Sequence, residues 1–177
     1  YGTTAGGCAY FLGDFRVVGD LAETDTGVVG LAKSSGYARI SGNDEDGKGV
    51  GVGTEAVFSP VLNGTMVLEA RVEMAALTTR SIAIGFGALF ADDVAEPITS
   101  STVTHTYVDT NGAWFILDSQ LTAATAWHMP FIGGTATQRT SSLLTTSGVA
   151  AVTAESDILR IEIDPNGNAR WYINGVL

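Results

Sequence analysis

Strict alternation of apolar and polar residues marks two stretches of this chain. Over residues 65–75, Met66, Leu68, Ala70, Val72 and Met74 fall on one side, and Glu69, Arg71 and Glu73 on the other. A period of two predicts a strand with one buried face. Residues 158–177 read ILRIEIDPNGNARWYINGVL and predict a hairpin together with its register. Asp164-Pro165-Asn166-Gly167 suits a type I turn, with Gly167 left-handed to close a three-residue loop with a bulge. Asp164 then stands opposite Asn168, and Ile163/Ala169, Ile161/Trp171 and Leu159/Ile173 become apolar pairs. On the reverse face Glu162 meets Arg170 and Arg160 meets Tyr172. A slip of one residue would bury the charges, so the register is strongly specified.

The remaining pattern is one of shorter strands. Residues 81–89 place Ile82, Ile84, Phe86 and Ala88 on one face. Ala83, Gly85 and Gly87 lie on the other, which calls for a close neighbour or a bulge. Further strands are expected at 37–40, 55–58, 103–108, 113–117, 127–132, 138–144 and 148–152, with polar loops at 41–53 and 91–101. Residues 1–36 read as an irregular, small-residue arm carrying one or two short strands around Tyr10-Phe11-Leu12 and Phe15-Arg16-Val17-Val18. Turn signals recur roughly every 8–12 residues and no amphipathic helix of useful length appears, which predicts an all-β fold. Long central strands with hairpin connections favour a two-sheet antiparallel β-sandwich, a jelly roll, over residues 37–177 in preference to a closed barrel. Asn174-Gly175 suits a type I′ turn that pairs Ile173 with Val176. A turn of that quality launches a strand, so the jelly roll is expected to lack its last strand or strands.

The alternating strand, Ile163-Asp164-Pro165-Asn166-Gly167 and then Trp171-Tyr172-Ile173-Asn174-Gly175 together resemble concanavalin A-like lectin and glucanase domains, laminin G-like ones included. The strand VLEARVEM, followed by an apolar strand containing Gly85 and Phe86, looks like the central pair of such domains. The resemblance implies the fold and leaves function open, because that fold hosts enzymes, lectins and purely structural modules. Richness in Thr, Ala, Gly and Ser, near absence of Lys and a small-residue N-terminal arm also resemble structural proteins of tailed bacteriophages, in which such domains decorate capsids or form fibres.

Charge narrows the partners. The 177-residue chain carries a net charge of −10, with Lys33 and Lys48 as its two lysines and its arginines scattered. Nucleic-acid binding needs clustered Lys and Arg, and an acidic surface disfavours anionic membranes. No apolar run reaches the roughly 20 residues of a membrane-spanning helix. The single Cys8 allows no intrachain disulfide.

Candidate chemistry is sparse. The E-x-D-x-x-E strand of family glucanases has its nearest counterpart around Glu69, Arg71 and Glu73, where Arg71 takes the place of the Asp.

 The stretch reads Glu69-Ala70-Arg71-Val72-Glu73 in full. A retaining glycosidase holds its carboxyl groups about 5–5.5 Å apart, whereas Glu69 and Glu73 on a regular strand are roughly 13 Å apart. They read as the flanks of an ion-pair ladder around Arg71, and a hydrolase is not expected. Glu155 and Asp157 sit at a strand start, where acidic residues are commonplace. His105 and His128 lie in alternating strands and read as surface or packing histidines. No G-x-S-x-G elbow or phosphate-binding G-K-[ST] loop occurs. For metals, Asn43-Asp44-Glu45-Asp46-Gly47 offers alternating oxygens, with Asp44 and Asp46 as weak Ca²⁺ candidates. The EF-hand pattern nevertheless fails at Gly42 and lacks its closing Glu, so no cofactor is expected.

Two roles remain. The leading expectation is a non-enzymatic virion structural protein, on the virion surface, making contacts with other virion proteins or copies of itself. Tyr10, Phe11 and Phe15 of the arm would then anchor in partner pockets. The alternative is an extracellular, lectin-like carbohydrate-binding module. Tyr172, flanked by Arg160 and Arg170, would stack on a sugar, while Trp171 faces the core. The pattern leaves Trp114 and Trp127 unassigned.

Overall fold

The computed structural model describes residues 10–12, 15–19, 28–31, 38–41, 50–54, 58–88, 97–133 and 146–177. These form β1 (Tyr10–Leu12), β2 (Phe15–Gly19), β3 (Val28–Leu31), β4 (Ala38–Ser41), β5 (Val50–Gly53), a single helical turn α1 (Pro60–Asn63), β6 (Met66–Glu73), β7 (Ser81–Gly87), β8 (Ile98–Ser101), β9 (Thr104–Tyr107), β10 (Gly112–Asp118), β11 (Ala126–His128), β12 (Phe131–Ile132), β13 (Thr146–Ala150), β14 (Ser156–Ile163) and β15 (Ala169–Ile173). The chain is all-β. Its sheets are open, their ladders antiparallel, and no barrel closes among the described residues.

Two compact units divide the chain. The first, Tyr1–Val57 with Leu89–Pro97, holds a three-stranded sheet ordered β1-β2-β5 and a β3-β4 hairpin. β5 lies inside the stretch expected to be a loop. Its Val50 and Val52 alternate with Gly51 and Gly53, and the glycines disguise a short strand that pairs with β2 from Gly19↔Val50 to Arg16↔Gly53.

The second unit, Phe58–Ala88 with Ile98–Leu177, is a sandwich. One layer is the sheet β15-β14-β6. Its hairpin has the register read from the letters, Leu159↔Ile173, Ile161↔Trp171 and Ile163↔Ala169. β6 adds eight consecutive pairs, from Ser156↔Glu73 to Ile163↔Met66. The facing layer centres on β10, which pairs with β7 on one side and with β11 and β12 on the other. Between the layers lie Met74, Ala113, Phe115, Leu117, Trp127, Leu159, Ile161 and Ile173, all buried. Phe115 and Trp127 meet edge to face with centroids 6.2 Å apart. Burying each large apolar side chain contributes about 1.5–3 kcal/mol.

The expected strand at 127–132 is interrupted in its hydrogen bonding by one proline. Ile116↔His128 and Ala113↔Phe131 belong to a single continuous register, so Trp114 stands opposite Pro130. The Trp114 amide donates to the Pro130 carbonyl at 3.1 Å. Pro130 has no N–H to return the bond. The indole Nε1 of Trp171, from the opposite sheet, donates to the Trp114 carbonyl instead, at 3.0 Å. A second cross-layer bond runs from Trp127 Nε1 to Asp157 Oδ2 at 2.9 Å.

The glycine face of β7 is a close approach. A Cβ on Gly85 would stand 2.1 Å from the Ala113 carbonyl oxygen, and one on Gly112 would stand 2.1 Å from the Trp114 ring. On this outer side, Ile98, Trp114 and Ile116 are buried together, with Tyr107 and Ile132 against them. The β8-β9 hairpin therefore supplies a third layer over β10. β8 lies wholly in the expected loop 91–101, and β9 lies within the expected strand 103–108.

Candidate functional site

Three of the residues singled out for sugar binding lie on the outward face of the β15-β14-β6 sheet. Register puts Arg160 between Glu69 on β6 and Tyr172 on β15, and puts Glu162 beside Arg170. Arg160 Nε donates to Glu162 Oε1 at 2.9 Å, and Nη1 donates to Glu69 Oε2 at 3.2 Å. These bonds, first to Glu162 and then to Glu69, hold the guanidinium above its ordinary pKa. The Tyr172 hydroxyl donates to Glu162 Oε2 at 3.4 Å. The result is a ladder, Glu69–Arg160–Glu162–Tyr172, with Arg170 exposed at its rim. Two carboxylates share one cation between them. The ring of Tyr172 is half-buried and its hydroxyl is committed to the ladder. Nearby, the Asp164 carboxylate accepts from the Asn168 side chain and from the Asn168 and Asn166 amides, which lowers its pKa.

A second polar constellation was not legible in the sequence. Ser100 and His105 are register partners in the β8-β9 hairpin, and both face β10 and β11. Ser100, His105, Asp118 and His128 are 7%, 3%, 1% and 0% exposed. Ser100 Oγ and His105 Nδ1 share a hydrogen bond of 3.1 Å. His128 Nε2 donates to the Ala123 carbonyl at 3.0 Å, since a carbonyl only accepts. The two imidazoles stand 5.8 Å apart, edge to face. Burial first, and then the neighbouring His128, depress the His105 pKa to about 4, against an opposing pull from Asp118. The hairpin is pinned at its tip: Thr102, left-handed at φ 53°, donates its amide to Gln120 O at 3.0 Å and accepts from Thr122 N at 2.7 Å. The signal that points to this layer is the alternation of Ile98 with Ser100 and of His105 with Tyr107 about the two-residue Thr102-Val103 loop.

The other candidates are dispersed. Phe15 begins β2 and is 48% exposed, and Tyr10 and Phe11 belong to β1, which pairs with β2. Asp44 and Asp46 lie outside the described residues, as does the expected strand at 138–144. Among the described residues, no three His, Cys, Asp or Glu side chains gather to hold a metal ion. An open groove of about 280 Å³ is lined by Phe58, Asn63, Thr65, Met66, Val67 and Phe86. Beside it Phe58, Val61 and Leu62 are exposed. Trp114 and Trp127, left unassigned by the pattern, are both core residues.

No known family model, curated protein or solved structure matches the chain.

Proposed function

We propose that the chain is a non-enzymatic structural module that acts through protein–protein contact, as a capsid-decoration or fibre-associated component at the surface of a tailed-phage virion. Within all-β sandwiches, the fold we propose is a concanavalin A-like jelly roll, on the strength of its closing hairpin motif. The observation that carries the assembly reading is the distribution of surface chemistry. The charges of the outward sheet face pair with one another in the Glu69–Arg160–Glu162 ladder. Large apolar side chains meanwhile stand exposed along one short stretch, with Phe58 at 57%, Val61 at 77%, Leu62 at 84% and Val67 at 48%. Apolar side chains clustered in that way mark a surface that another protein covers. The Thr-, Ala-, Gly- and Ser-rich, Lys-poor composition agrees with the virion setting. The test is electron microscopy of the purified chain together with sedimentation. A symmetric assembly supports the reading, and a monodisperse monomer that binds nothing overturns it.

One arrangement favours a second reading, an extracellular carbohydrate-binding module: Tyr172, Arg160 and Arg170 share one sheet face. Glycan-array binding that Tyr172→Ala abolishes would establish it, and an array without signal would dismiss it. A chelator in the same assay tests the Asp44 and Asp46 calcium expectation.

A further inference from the structure

Among the described residues, β6 stands at the edge of its sheet. Its ladder there runs to β14 alone, through eight consecutive pairs without a bulge, and it contains no proline. Edge strands of this length template pairing with another chain unless something blunts them. The sequence of β6, Met-Val-Leu-Glu-Ala-Arg-Val-Glu, is complementary to itself in one register.

When two identical antiparallel strands are related by a two-fold axis, facing positions have the same parity, so the axis passes through a residue pair. With the axis at Ala70, Glu69 stands opposite the partner's Arg71, and Arg71 opposite the partner's Glu69. Leu68 meets the partner's Val72 on the other face, so the apolar layer continues across the junction. Moving the axis to Glu69 sets Glu69 on Glu69. Moving it to Arg71 sets Arg71 on Arg71 and Glu69 on Glu73, all like charges. An axis at Leu68 sets no opposite charges together, and one at Val72 sets Arg71 on Glu73 but shortens the overlap. The Ala70 register alone combines opposite charges with pairing over residues 67–73. Glu69, which already binds Arg160 at 3.2 Å, would then bridge two arginines from two chains.

We propose that β6 pairs with β6 of a second copy about Ala70, joining two three-stranded sheets into one six-stranded sheet. This inference deepens the assembly reading and rests on it for its biological meaning. A junction of seven residues a side is small, so the pair is expected to be concentration-dependent and salt-sensitive.

Charge-swapped chains test it by sedimentation equilibrium at low salt, with circular dichroism confirming the fold. The wild-type chain is expected to dimerise. Glu69→Arg alone places Arg on Arg, and Arg71→Glu alone places Glu on Glu, so each is expected to dimerise at least tenfold more weakly. An equimolar mixture of the two restores both opposite-charge pairs and is expected to recover the dimer. Should Glu69→Arg fail to fold, Arg71→Glu alone, which leaves the Glu69–Arg160 pair in place, carries the test through its loss of dimer. A wild-type chain that stays monomeric, single variants that pair as tightly as wild type, or a mixture no more dimeric than its parts would each overturn the proposal. Larger assemblies formed equally by wild type and single variants would overturn β6 pairing and leave the assembly reading standing. Dimers that depend on β6 but build nothing larger uphold the pairing and count against the assembly reading alone.

Discussion

The two faces of β10 are both buried, by different means. Inward, Ala113, Phe115 and Leu117 meet Trp127, Leu159 and Ile161 in a layer of hydrocarbon and aromatic rings. Two indole N–H groups cross this layer to Asp157 and to the Trp114 carbonyl. Outward, Trp114 and Ile116 pack with Ile98 at one end, while Asp118, Ser100, His105 and His128 fill the other. The inner layer is held chiefly by packing of apolar and aromatic side chains. The outer layer is held partly by the His105 imidazole, whose neutral form burial favours, so its cover is conditional. A strand buried on both sides can thus couple a permanent core to a titratable one.

The largest expected effect lies in the inner layer. Trp127→Ala is expected to cost about 3–5 kcal/mol in chemical denaturation, as fully buried aromatics do. The outer-layer Ile116→Val should cost only about 0.5–1.5 kcal/mol. A loss well under 3 kcal/mol for Trp127→Ala would contradict its place in the packed inner layer.

Next comes acid. The folded-state pKa of His105, about 4, lies below the ordinary 6.5, so the unfolded chain binds the extra proton over that window. Stability is therefore full above pH 6.5 and falls as pH drops toward 4. At about 1.4 kcal/mol per pH unit, the loss reaches roughly 3 kcal/mol. His105→Gln should flatten this limb in denaturation curves taken from pH 7 to 4; an unchanged slope would place the acid sensitivity elsewhere.

A smaller effect concerns the proline gap. Trp171→Phe leaves the Trp114 carbonyl without its indole donor and should cost about 1–3 kcal/mol. Pro130→Ala restores an N–H opposite that carbonyl, so it should recover part of the loss in the Trp171→Phe background. Additive effects of the two substitutions in a double-mutant cycle would refute the replacement of one donor by the other.

What the letters disclosed follows from where the information is local. β6 and the β14-β15 hairpin were readable residue by residue because each has one buried face and a specific turn. β9 fell within an expected strand, but β8 and its pairing with β9 were not readable, because ITSS and THTY are polar strands whose burial comes from a sheet elsewhere in the sequence. The run Gly112–Asp118 is buried nearly throughout because it is covered on both sides, which alternation does not announce. The histidine pair was equally hidden: His105 meets His128 only once β10 and β11 lie beneath the hairpin. Of the proposed sugar face, the Arg160–Tyr172 and Glu162–Arg170 pairs followed from the hairpin register, while the contact with Glu69 required β6 to pair with β14.

Hydrogen exchange at pH 7 and pH 4.5, read amide by amide, tests the contrast between the two buried layers most directly. The account predicts that protection in β8 and β9 falls at pH 4.5 by a larger factor than in β6 and β14, after correction for intrinsic exchange rates. Equal loss in both layers, or loss confined to β6 and β14, would contradict it.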